Sequence, residues 1–173
     1  MTRILDQIYR AAGVLAAVFL VLIALFVLAQ VLGRLAGQAV PSADEFAGYC
    51  LSASSFLALA YTLRTNAHIR VTLFLRRLSP RARHGFEIWC LLVTTALIGY
   101  FAFYTVRMVW ESYQFGERTM GLVPVMLWIP QTGMAIGVVL LATAFLEELI
   151  RVFAGHPPRY QEAEHDAAAA ADL

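Results

Sequence analysis

The side chains in this 173-residue chain that could hold a metal or a haem, or attack a substrate, are few: four histidines, two cysteines and twelve carboxylates. His68, His84, His156 and His165 all fall outside the long uncharged runs, so the paired axial ligands of a membrane cytochrome are missing. Cys50 and Cys90 form no Cys-x-x-Cys pair, and no cluster of His, Asp and Glu has metal-ligand spacing. No glycine-rich loop is built to cradle a phosphate. No Asp, Glu, Arg or Lys stands in the middle of an uncharged run, where an ion or proton pathway would place one. The sequence therefore offers no catalytic residue, no cofactor site and no metal site. A chain without a coupling site of its own is not expected to pump a solute alone.

Positioning comes from the uncharged runs. The chain is 60% hydrophobic and 14% charged, too little polar surface to cover a soluble globule of its size. Residues 11–33 carry no formal charge and would extend about 34 Å as a helix, enough to cross a hydrocarbon core of about 30 Å. A signal peptide is the competing reading of that run, but its apolar core would be shorter, and no clean Ala-x-Ala site follows. Further spans are expected at about 46–63, 88–106 and 124–146, the last starting near Pro124. The expected fold is an all-α membrane domain of four helices over residues 1–155, with a disordered cytoplasmic tail over 156–173.

Charge sets the expected orientation. Arg64, Arg70, Arg76, Arg77, Arg81 and Arg83 crowd the loop between the second and third runs, and arginine clusters stay in the cytoplasm. Both termini then lie inside, with Arg34, Arg107 and Arg118 outside. Trp89 falls at the inner end of the third span, and Trp110 and Trp128 fall at the outer ends of the third and fourth, as an aromatic belt requires. Cys50 and Cys90 sit at opposite faces and should not pair.

Smaller features refine this frame. Ser42 and Glu45 have the spacing of a capping box at the start of the second span. Between the second and third spans, Ile69, Val71, Leu73, Phe74, Leu75 and Leu78 alternate with arginines. That pattern suits a short amphipathic helix in the inner interface better than an extended loop. Gly133 and Gly137 form a GxxxG pattern in the fourth span, suited either to packing within the bundle or to contact with a partner. Gln30 and Gln131 lie near outer helix ends, where water or a backbone carbonyl can satisfy them.

The run Asp44-Glu45-Phe46-Ala47-Gly48-Tyr49, the small-residue span through Phe56 to Ala60, then Arg64 and His68-Ile69-Arg70-Val71 resemble a known family. It is the small integral membrane (DctQ-type) subunit of tripartite ATP-independent periplasmic, or TRAP, transporters. Leu122, Pro124, Trp128 and Pro130 also match its approach to the fourth span, and the likeness covers roughly Ala11 to Phe153. Thr72 stands where the family's aspartate usually follows the His-Ile-x-Val motif, and Ala58 where a glycine often follows Phe-Leu. The resemblance implies a bacterial inner-membrane protein with a large TRAP membrane subunit as partner and a periplasmic substrate-binding protein that it meets indirectly or at the outer face. It implies sodium-coupled uptake of an organic acid or related solute, with this chain as a non-catalytic scaffold that braces the large subunit.

On that reading Asp44 and Glu45 contact the partner subunit or the binding protein, with helix capping as the alternative. Arg64, His68 and Arg70 hold lipid headgroups or the partner, with topology determination as theirs. Two other classes stay open: a stand-alone four-helix exporter, and a membrane enzyme acting on lipid or quinone. For the enzyme, His68, Arg70 and His84 would be the one candidate cluster, although their spacing fits no mechanism.

Overall fold

The computed structural model of the chain describes residues 2–38, 40–64 and 80–154. Four α-helices account for most of them: α1 (Thr2–Leu35), α2 (Ala43–Arg64), α3 (Pro80–Phe115) and α4 (Trp128–Phe153). All four are long and apolar enough to cross a membrane, which makes the chain a multi-pass membrane protein. The expected interfacial helix over residues 69–78 and the tail after residue 155 lie outside the described residues.

Local chemistry fixes where the helices stop. Gly37 follows α1 at φ 74°, and the Gln38 N–H returns to the Gly33 carbonyl at 2.8 Å. Gly116 follows α3 at φ 62°, and the Glu117 N–H returns to the Ser112 carbonyl at 3.1 Å. Both are left-handed C-terminal caps that a Cβ would strain.

α4 begins at Trp128, four residues beyond Pro124, where the span was expected to start. The intervening chain pairs with itself instead. Thr119 N–H donates to the Val125 carbonyl at 2.9 Å, and Leu127 N–H donates to Glu117 at 2.9 Å, so residues 117–127 form a small hairpin with Pro124 inside it. Pro130 then occupies the first turn of α4, where a missing N–H costs nothing.

The helices stand in the spatial order α1, α2, α4, α3, and no comparable packing joins α1 to α3. The arrangement is an open row rather than a closed bundle. α2 runs antiparallel to α1: Phe26 stacks on Phe46 at 5.7 Å, Ser54 Oγ donates to the Ala16 carbonyl at 2.9 Å, and Arg64 reaches Asp6. α2 and α4 lie parallel. Gly133 faces Ala53, and one turn further along Gly137 faces Phe56 and Leu57.

The buried core is built from small and branched side chains in these two seams: Ala12, Ala16, Ala53, Leu57, Ala60, Ala135, Val138, Leu141 and Ala144. Helices approach closely in a membrane where small residues let backbones meet, because lipid supplies no hydrophobic drive between them.

Candidate functional site

Three places along α2 gather the candidate residues. At its N-terminal end Ser42 is buried and holds φ at 55°, a left-handed value that a non-glycine residue adopts at some cost. Its hydroxyl accepts the Val123 N–H at 3.1 Å and donates to Glu45 Oε1 at 3.5 Å. The serine expected to cap α2 with its hydroxyl instead uses it to tie the 117–127 hairpin to the helix, and Glu45 meets it side chain to side chain.

Glu45 is half-buried, with its carboxylate against Gly121 of the hairpin, so that a side chain at position 121 would occupy the same space. Asp44 is exposed. The two neighbouring acids are therefore unlike: Glu45 is engaged within the chain, and Asp44 faces outward. Ser112 lies under the hairpin, 2% exposed, and donates to Glu117 Oε2 at 2.8 Å.

The middle of α2 holds the glycine seam. A Cβ on Gly137 would stand 2.7 Å from Phe56 Cβ and 2.8 Å from the Leu57 nitrogen. One on Gly133 would stand 2.9 Å from Ala53 Cβ. Both glycines of the GxxxG pattern are turned toward α2, within the chain.

At the C-terminal end of α2, Arg64 closes three helices together. Its Nε and Nη2 donate to Asp6 Oδ1 of α1 at 3.0 and 2.8 Å, and Nη1 donates to Glu147 Oε2 of α4. The guanidinium lies 5.3 Å from the centre of the Tyr9 ring, within cation–π range. Tyr9 is 1% exposed; its hydroxyl donates to the Leu140 carbonyl at 3.3 Å and meets Thr143 Oγ1 at 3.2 Å. The Arg64 side chain is only 9% exposed, so both of its nitrogen edges are committed to carboxylates of its own chain. His68 and Arg70 lie outside the described residues, as does the side chain of His84.

Asp6, Tyr9, Thr143 and Glu147 are functional neighbours that local pattern did not reveal. A usable signal existed: Asp6 lies just before the first uncharged run and Glu147 just after the last, at the same ends of the helices as Arg64. The arrangement converts one arginine at a helix end into a bolt through α1, α2 and α4.

A family model described as "Tripartite ATP-independent periplasmic transporters, DctQ component" matches residues 23–155, more than half of the chain. No curated protein matches the chain.

Proposed function

We propose, from the premise that this chain belongs to the DctQ component family of tripartite ATP-independent periplasmic transporters, that it is the transporter's non-catalytic brace. It stands in the bacterial inner membrane with both termini in the cytoplasm, and it holds a large transport subunit steady while that subunit moves solute. The solute is an organic acid or related compound, delivered by a periplasmic binding protein and driven by sodium. The observation that supports this reading best is the way α2 is fixed along its whole length. The hairpin clamps one end, the glycine seam the middle and the Arg64 bolt the other. A part so tied resists deformation, as a brace must. Asp44, exposed beside the clamped end, is the acid available to the large subunit or the binding protein.

Reconstitution tests the proposal. Vesicles holding this chain alone should show no solute uptake under a sodium gradient, whereas vesicles holding it with the large subunit and the binding protein should. Omitting this chain from the full set should abolish uptake. Solute flux through the isolated chain would refute the brace.

A further inference from the structure

α2 is the least apolar of the four spans. Over residues 46–63 only six of its eighteen side chains are Leu or Phe, and three serines and a threonine stand where other spans carry aliphatic groups. α1 holds fourteen Leu, Ile, Val or Phe residues between positions 11 and 33. Each large apolar side chain favours insertion slightly, whereas a hydroxyl taken into hydrocarbon without a partner opposes it. Composition therefore carries α1 into the bilayer unaided and leaves α2 short.

The contacts of α2 show where the shortfall is met. Ser55 and Thr62 turn back on their own helix, to the Leu51 and Leu59 carbonyls at 2.8 and 3.1 Å. Three further side chains with polar groups reach α1. Ser54, buried at mid-span, donates to the Ala16 carbonyl at 2.9 Å, and Arg64 takes Asp6 at the inner end. Tyr61 lays its ring over Gly13, so closely that a Cβ there would stand 2.8 Å from it. With Phe46 stacked on Phe26, these contacts run the length of both helices. α4 meets the middle of α2 through apolar groups, at Ala53, Phe56 and Leu57, and it is the last helix to be translated. When α2 reaches the membrane, the helix already there is α1. The arginines that follow α2 hold the next loop inside, but they offer its hydroxyls no partner within the bilayer.

We propose that α1 is the insertion partner of α2: α2 does not span the bilayer by its own composition and enters it paired with α1, as a helical hairpin. The inference is independent of the brace reading and takes from it only the orientation.

The test uses the full chain in spheroplasts, with Cys50 and Cys90 replaced by serine and Gly85→Cys as reporter. Gly85 is exposed near the start of α3, and nothing lies within 4 Å of the space its Cβ would fill. A membrane-impermeant maleimide added outside reaches position 85 only where α2 has failed to cross. Residues 11–33 are then exchanged for a leucine–alanine helix of equal length, with leucine at positions 12, 13 and 16. That helix still spans, but it keeps α2 away from its backbone. Outside labelling should rise about tenfold, and Gly13→Leu alone should raise it about threefold. Adding Ser54→Leu and Ser55→Leu to the exchanged chain should restore shielding, because an α2 of that composition inserts without help. The assay scores crossing rather than folding, so a variant that packs poorly still gives an answer.

Equal shielding of position 85 beside the exchanged helix overturns the proposal, since the arginine loop then suffices. Failure of the two leucines to restore shielding also overturns it, because the loss would not lie in the composition of α2. Neither result touches the brace. Outside labelling of the reporter chain with its native α1 would reverse the orientation, and would overturn this inference together with the topology of the brace.

Discussion

Two glycines separated by a whole helix face allow the packing of α4 on α2 to be measured against its own control. Gly99 and Gly137 both lie in the interior of apolar helices, so replacing either by alanine brings the same intrinsic gain, about 1 kcal/mol in helix propensity. Their surroundings differ. Around Gly99 a Cβ meets nothing within 4 Å, whereas at Gly137 it would stand 2.7 Å from Phe56 Cβ and 2.8 Å from the Leu57 backbone nitrogen. Much of that obstacle is main chain of α2 and cannot swing aside as a flexible side chain would, so α4 must retreat along the seam. Overpacking of this kind costs about 1–3 kcal/mol, and close packing is what holds membrane helices together.

Gly99→Ala should therefore leave stability unchanged or raise it by up to about 1 kcal/mol. Gly137→Ala should lower it by up to about 2 kcal/mol after the propensity gain is subtracted, which leaves it about 1–3 kcal/mol less stable than Gly99→Ala. Reversible denaturation in mixed micelles, followed by tryptophan fluorescence, gives the two midpoints side by side. Equal stability of the two variants would refute the seam.

Two further outcomes test the ends of the row. Arg64→Gln takes one partner from each of two carboxylates, and because Asp6 and Glu147 are 52% and 30% exposed, the loss should fall below the full cost of a buried ion pair, at about 1–3 kcal/mol. Adding Glu147→Gln should recover part of that loss in the same denaturation assay, and no recovery would mean that Arg64 is held by something else. For orientation, Met120 lies fully exposed on the hairpin. With Cys50 and Cys90 replaced by serine, Met120→Cys should react with a membrane-impermeant maleimide in intact spheroplasts, and protection until the cells are opened would reverse the topology.

The helices were legible because hydrocarbon demands long uncharged runs, and this chain supplies four bounded by arginines and acids. The crowding of small residues in α2 and the Gly133–Gly137 spacing announced a close seam. They did not announce its partner, since periodicity names a face and not the neighbour that covers it. The order α1, α2, α4, α3 was hidden for the same reason.

Arg64 shows the limit most clearly. Its partners stand 58 and 83 positions away, so no local pattern around the residue could reveal the contacts it makes within its own chain. The start of α4 turned on two prolines that local preference treats alike. Pairing across residues 117–127 took Pro124 into the hairpin and left Pro130 to the helix. Ser42 carried a correct signal for a helix start, but its bond to Val123 joins distant stretches that no short motif spans.

The spatial order of the row carries a consequence for how the protein is made. α1 and α2 can zip together as soon as both have left the ribosome, but α3, synthesised next, has no broad surface waiting for it. Its neighbour in the finished molecule is the helix translated last. Until α4 slots in between, α3 drifts beside a finished hairpin. Assembly therefore ends with an insertion into the middle of the structure, and a chain truncated before Trp128 should leave α3 unanchored.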